Sequence, residues 1–322
     1  MLIAALATLA VAAVAVGVLR WQEASLPVAR PSARSLHAAP VGRVGGLSVV
    51  AGIVVAMPAW PVPAGITPAL AWVAALAAVA VAVVSLVDDW RGLSAGARLC
   101  VQALAAAAAT WAMPLGGAWS VVAVIAIVWM ANLFNFMDGN DGLAAASAIA
   151  GFAAYALAAH AAGAGALPYV TIALACVPLL WINRPPARMF MGDVGAVTLG
   201  FLAAVLGIAG IAGGAWAAWL PPLAFLPLIL DATVTLARRA ARGERLWEAH
   251  KVHYYQRVHR MGAGHRGTLA LYAALSCATA ATAAACALAA PSLGWTALAT
   301  WMLVLGAVFA VIDYHWRRRP GP

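Results

Sequence analysis

Five of the ten acidic residues in this chain fall in three short segments, and their spacing is what chemistry would need. The segments are Ser85-Leu-Val-Asp88-Asp89, Asn132-Leu-Phe-Asn135-Phe-Met-Asp138-Gly-Asn-Asp141-Gly, and Phe190-Met-Gly192-Asp193-Val-Gly195. Each borders a long apolar run, so each is expected at a helix end and at one shared depth. Carboxylates gathered beside an apolar wall repel one another unless a cation or a proton neutralises them. Hard oxygen donors without matching cysteines favour Mg²⁺, with Mn²⁺ the alternative, over zinc. Mg²⁺ is usually held by one or two carboxylates with substrate phosphates and water, so the trio reads as a site of metal-assisted phosphate chemistry. Taken singly, each segment has a plainer reading. The Asp-Asp pair can cap a helix, Asp138-Gly-Asn-Asp141-Gly is turn chemistry with Asp141 as a helix N-cap, and Gly192-Asp193-Val-Gly195 is a helix-start loop. Their joint occurrence at one depth is what carries the functional reading.

A basic loop supplies opposite charge. If Trp247 to Arg257 is helical, His250, His253, Gln256 and Arg257 share one face and suit a pyrophosphate. The bland alternative is a basic helix lying on anionic lipid. His259 and His265 read as solvated loop residues, and His160 has no polar neighbour and no role. Asp231 and Asp313 are expected to pair with nearby arginines, with Asp231 the better placed to face the site.

The elements that must position these groups are membrane helices. The chain is 65% hydrophobic and 9% charged, and a helix needs roughly 20 apolar residues to cross a bilayer. Apolar runs near 1–19, 44–60, 67–87, 98–113, 118–134, 142–161, 167–182, 194–212, 215–235, 269–289 and 294–314 predict about eleven transmembrane helices. The runs do not alternate as barrel strands do, so an all-α integral membrane protein with a single domain over 1–322 is expected. The four cysteines, Cys100, Cys176, Cys277 and Cys286, fall in or beside these runs and show neither metal spacing nor a disulfide framework.

All 19 Lys and Arg residues fit on one side of this arrangement, as do all 10 acids. The connections 61–66, 114–117, 162–166, 213–214 and 290–293 contain no Lys or Arg. The positive-inside rule then places the charged side in the cytosol, with the N-terminus outside and the C-terminus inside. The first apolar run has no basic residue before it, so it is read as an N-out anchor rather than a cleaved signal peptide. The net charge of +9 suits anionic lipid and an anionic substrate, and nucleic-acid binding is not needed to explain it.

In combination, these motifs resemble the polyprenyl-phosphate N-acetylhexosamine-1-phosphate transferases, the WecA- and MraY-like membrane enzymes of glycosyltransferase family 4. The similarity runs from Arg34-Ser-Leu-His37, Arg43 and Gly45-Gly46, through the Asp-Asp pair, the Asn-x-x-Asn-x-x-Asp-Gly-x-x-Gly-Leu stretch and the Phe-Met-Gly-Asp loop, to Gln256-Arg257. The resemblance implies that a polyprenyl (undecaprenyl) phosphate attacks a UDP-N-acetylhexosamine, releasing UMP and leaving a polyprenyl-diphospho-sugar. It also implies a bacterial inner membrane location and initiation of a cell-surface glycan. Matched by position, Asp88, Asp89 and Asp193 are the catalytic acids, with Asp88 acting as base or orienting group. Asn135 and Asp193 are the implied Mg²⁺ ligands. Asp138, Asp141, Asn183 and Phe190 would line the nucleotide pocket, with Phe190 stacking on uracil. His250, His253, Arg257 and Arg43 would contact the diphosphate or sugar. The implied partners are the UDP-sugar, the lipid phosphate and membrane lipid, with a homodimer left open. The Tyr254-Tyr255-Gln256-Arg257 form is similar to the O-antigen and surface-polysaccharide subgroup. The alternatives are the phospho-N-acetylmuramoyl-pentapeptide transferase of peptidoglycan synthesis and, from another class, a lipid-linked sugar transporter. A transporter would carry polar groups at the midplane, where this chain has Ala, Val, Leu, Ile and Gly.

Overall fold

The computed structural model describes residues 1–22, 28–29, 41–61, 68–245, 248 and 250–318. The Arg34-Ser-Leu-His37 segment lies outside them, as does Trp247. The helices are α1 (Leu2–Trp21), α2 (Gly46–Ala56), α3 (Pro68–Arg91), α4 (Ala95–Trp111), α5 (Gly117–Met137), α6 (Leu143–Ala161) and α7 (Leu167–Asn183). They continue as α8 (Gly192–Ala212), α9 (Leu220–Ala224), α10 (Leu226–Ala241), α11 (Tyr254–Val258), α12 (Gly264–Ala289) and α13 (Gly294–Arg317). A two-residue antiparallel pair, β1 (Val28–Ala29) with β2 (Val41–Gly42), ties the ends of the first connection together.

The chain is an all-α integral membrane protein. Seven helical stretches among the described residues are long and apolar enough to cross a bilayer, and Gly46–Ala59 and Leu167–Asn183 are shorter apolar helices. Every predicted run contains a helix, but the run at 215–235 is two helices. Pro227 has no amide hydrogen to offer Leu223, and its ring crowds the preceding turn, so the chain breaks at Phe225 between α9 and α10.

Exposed tryptophans mark the two ends of the bundle. Trp21, Trp90 and Trp181 ring the end that carries the acids. Trp72, Trp111, Trp119 and Trp295 ring the other. Two aromatic belts at opposite helix ends are what two membrane–water interfaces select.

Helix α8 is the central post, buried along most of its length and packed between α3 and α5. The entry of α2 lies against its first turn. A Cβ on Gly46 would sit 2.3 Å from the Gly195 nitrogen, so only glycine permits this approach. The Gly46 amide donates to the Met191 carbonyl at 2.7 Å, fixing the register. Gly192, which opens α8, has φ +74°, a conformation that costs an L side chain but not glycine. These two glycines bring the first connection onto the helix that carries Asp193.

Candidate active site

Asp88 and Asp89 occupy the last turn of α3, and the chain turns directly into α4. Because successive helical residues point about 100° apart, the two acids have different neighbours. Asp88 accepts the Leu93 amide hydrogen at 2.5 Å and an Arg98 Nη1 hydrogen at 2.7 Å. Asp89 is fully buried as a side chain and accepts the amide hydrogens of Asp193 at 3.2 Å and Val194 at 3.1 Å. It therefore caps α8 from another helix, satisfying amides that would otherwise have no partner.

Asp193 is the hub of the cluster. Its Oδ1 faces Arg43 Nη2 at 3.1 Å, and its Oδ2 faces Arg98 Nη1 at 3.4 Å and Asn135 Nδ2 at 3.3 Å. Arg43 also reaches Asp89 Oδ1 at 3.4 Å. Two guanidinium groups thus offset three carboxylates in one patch. Asp138, just past the end of α5, feels the same field. Burial and the Asp193 charge push its carboxyl well above the usual range, and Arg43 offsets this only in part.

A small cavity opens beside the cluster, with Asp88, Arg98, Asn135 and Asp193 at its rim and Ser85, Gln102 and Asn132 one turn deeper. Its volume of about 10 Å³ admits one water-sized guest. Among the described residues no three His, Cys, Asp or Glu side chains form a ready metal cage. The oxygen donors at its rim are the carboxylates of Asp88 and Asp193 and the amide of Asn135, with no sulfur. That set fits a hard divalent cation that draws its remaining ligands from substrate phosphate and water.

Asp141 and Asn183 form a separate buried knot. Asn183 accepts the Gly142 amide hydrogen at 2.8 Å and donates to the Met189 carbonyl at 2.8 Å, which engages both ends of its amide. Asp141 accepts the Ala187 amide hydrogen at 2.9 Å and lies 3.4 Å from His265 Nδ1. These two residues hold the 184–191 loop. His265, expected in solvent, is part of that knot. Phe190 is half-buried, and its backbone bonds Gly42 and Gly45 at 2.7 and 2.9 Å.

The late loop differs from the expected helix. Only Tyr254–Val258 is helical, so His250 and His253 precede it and no single face runs from 250 to 257. Two features set the start of α11: a capping box in which Gln256 accepts the His253 amide hydrogen at 3.2 Å, and Asp231 on α10, which is wholly buried. It accepts the amide hydrogens of Tyr254 and Tyr255, both at 2.9 Å, together with the Tyr272 hydroxyl, and it lies 3.3 Å from His253 Nδ1. No arginine bonds Asp231 among the described residues. His253 stacks on Phe136 at 6.2 Å, and Tyr255 donates its hydroxyl to the Phe136 carbonyl at 3.0 Å. The end of α5 therefore meets the acid cluster through Asn135 and the histidines through Phe136. His250 lies 4.8 Å from His253, and its Nδ1 is buried with no hydrogen-bond partner among the described residues. Burial, with help from His253 and Arg239, depresses its pKa to about 4. Arg257 turns away from the cluster to Asp313 Oδ1 at 2.5 Å and to the Val252 carbonyl at 2.8 Å.

The structure thus gathers Asp88, Asp89, Asn135, Asp138, Asp193 and Arg43, with His253 beside them through Phe136. It sets Asp141, Asn183 and Arg257 into neighbouring supports. Sequence reasoning missed Arg98 and Gln102 as site residues. An arginine and a glutamine four apart on an otherwise apolar helix was the available signal.

An all-helical membrane protein with clustered carboxylates and arginines at one end defines the class, and comparison shows what its middle segment is similar to. Residues 71–211 match the model of Glycosyl transferase family 4. Curated relatives carry the name phospho-N-acetylmuramoyl-pentapeptide-transferase. The protein of Chlorobaculum tepidum is 45% identical over 49 residues, 15% of this chain and 13% of that protein. That of Pelagibacter ubique is 50% identical over 34 residues, 11% of this chain and 9% of the relative. That of Chloroflexus aggregans is 29% identical over 94 residues, 26% of this chain and 24% of the relative. The chain therefore spans only 9–24% of the length of these relatives in the matched regions.

Proposed function

We propose that this chain transfers a sugar-1-phosphate from a nucleotide sugar to a polyprenyl phosphate at its charged face. The observation that carries the reading is Asp193, held between Arg43, Arg98 and Asn135 beside Asp88, inside the segment that matches Glycosyl transferase family 4. We place this face in the cytosol of a bacterial inner membrane, on the basis of the one-sided arginines. The donor we infer is a UDP-N-acetylhexosamine, and the products are UMP and a polyprenyl-diphospho-sugar. The Tyr254-Tyr255-Gln256-Arg257 form supports a surface-polysaccharide or O-antigen role.

Asp193 and Asn135, with Asp88 opposite, would hold Mg²⁺. When bound, that ion supplies charge stabilisation for the transferring phosphoryl group. The chain's own groups do the rest. Asp88 orients the attacking phosphate, which is already largely ionised and needs little help from a base. Arg43 and Arg98 stand where a diphosphate would bring its negative charge. Asp138 and Phe190 flank the donor side, with Phe190 suited to stack on uracil. His250 and His253 can donate hydrogen bonds to the diphosphate or sugar.

A second reading rests on the name that the relatives carry, namely a donor bearing a muramoyl-pentapeptide. One assay separates the two. Purified protein in detergent is given undecaprenyl phosphate, Mg²⁺ and a panel of UDP-N-acetylhexosamines, including UDP-N-acetylmuramoyl-pentapeptide, and UMP is measured. Release that requires both lipid phosphate and metal supports the transferase, and the preferred donor selects the reading. No release with any donor, from folded protein, refutes both.

A further inference from the structure

A second charged cluster centres on Asp313 of α13, away from the acids. Its Oδ1 accepts Arg257 Nη1 at 2.5 Å, and its Oδ2 accepts from Arg238 Nη1 and from the Tyr254 hydroxyl at 3.2 Å. Arg238 also donates to the Tyr254 hydroxyl, so three donors from α10 and α11 converge on one carboxylate. The Arg257 and Asp313 side chains are only 9% and 13% exposed. The Tyr254 ring lies flat on Phe309, one turn before Asp313, with centroids 3.9 Å apart and planes at 7°. Arg257 Nε holds the Val252 carbonyl at 2.8 Å, so the residue that α13 grips also closes the segment 252–257 on itself. Asp231 holds the same segment from inside through the amides of Tyr254 and Tyr255. His253, stacked on Phe136 at the edge of the acid cluster, lies between these two anchors.

We propose that Asp313 is a positioning residue for the site. Through Arg257 and Arg238 it fixes the His250–His253 edge against α5, and Arg257 acts through Asp313 rather than as a ligand of the diphosphate. Moving Arg257 onto a substrate phosphate would strip a largely buried carboxylate of one of its two arginine partners and break the Val252 bond. Separating one member of a buried ion pair is costly because the other charge stays desolvated. The proposal rests on the transferase reading for its kinetic test, though not for its second readout.

The test is a double-mutant cycle of Asp313→Asn, Arg257→Gln and the pair together, with Asp313→Glu as the conservative variant. Each single change is expected to raise KM for the nucleotide sugar about tenfold with little change in kcat, and the double no further, as coupled neighbours behave. Asp313→Glu should recover part of the loss. A silent Asp313→Asn beside a damaging Arg257→Gln, or effects that multiply in the double, overturns the proposal and makes Arg257 a ligand. Wild-type protein without lipid-dependent UMP release sinks the transferase reading instead. The same cycle is then read as the rate of tryptic cleavage after Lys251. Faster cleavage in both singles, with none further in the double, supports the positioning role, and unchanged cleavage overturns it.

Discussion

Asp89 accepts the main-chain amide hydrogen of Asp193 at 3.2 Å, so one acid orients the helix that presents another. The adjacent Asp88 spends its oxygens on Leu93 and Arg98 at the rim of the cavity. Two neighbours in sequence therefore have separable duties. Asp89→Ala is expected to lower folding stability by about 1–3 kcal/mol, the cost of leaving buried amides without an acceptor. Asp88→Asn should keep its thermal midpoint and lose turnover. Midpoints and UMP release measured on both variants decide the matter, and equal midpoints would remove the capping role.

The hard-donor set at the cavity makes a second prediction. Asp193→Asn and Asn135→Ala should each lose Mg²⁺-dependent turnover while the protein stays folded in detergent. Isothermal titration with Mg²⁺ in the presence of UMP gives a readout independent of catalysis. Turnover retained in both variants rules out these ligands.

His250 links the site to pH. Its ordinary pKa of 6.5 falls to about 4 in the fold, so the folded state holds fewer protons than the unfolded state between those values. Its stabilising contribution is complete above pH 6.5 and is lost progressively as pH falls from 6.5 toward 4. His250→Gln should flatten that acid limb in detergent melts. An unchanged limb would show that His250 titrates normally. Turnover between pH 7 and 8 should carry no inflection from this group.

Close backbone approach at the entry to α2 is open to test as well. In Gly46→Ala the new methyl meets the Gly195 backbone rather than a movable side chain. Overpacking of this kind costs about 1–3 kcal/mol. Because Arg43 lies three residues earlier, turnover should fall along with the midpoint. A midpoint equal to wild type would show that α2 can shift without penalty.

The helical class and the placement of the membrane runs were legible in the sequence because lipid imposes length and apolarity directly. The convergence of Asp88, Asn135 and Asp193 was legible for the same reason, since helix ends at one depth must meet. What stayed hidden was the division of labour among the polar groups. The capping role of Asp89 was hidden because its partners, the amides of Asp193 and Val194, lie more than a hundred positions away. The pairing of Arg257 with Asp313 was hidden because Asp313 sits on a separate helix. Asp231 takes the Tyr254 and Tyr255 amides, and that long-range capture joins the local His253–Gln256 capping box in setting where α11 begins. At Phe225 the signal was present, as Pro227 two residues on marks the break.

The pairing of Asp88 with Arg98 also bears on how the chain enters the membrane. These partners stand ten positions apart on consecutive helices, so α3 and α4 can insert as a hairpin with that charge already matched. Asp231 has no such early companion. It must wait for Tyr254, Tyr255 and Tyr272, and at 5–20 residues per second that is an interval of about two to eight seconds of synthesis for the last of them. During that time α10 carries a desolvated carboxylate with only Thr235 beside it. The late half of the chain is therefore where the translocon or a membrane chaperone has the most to protect.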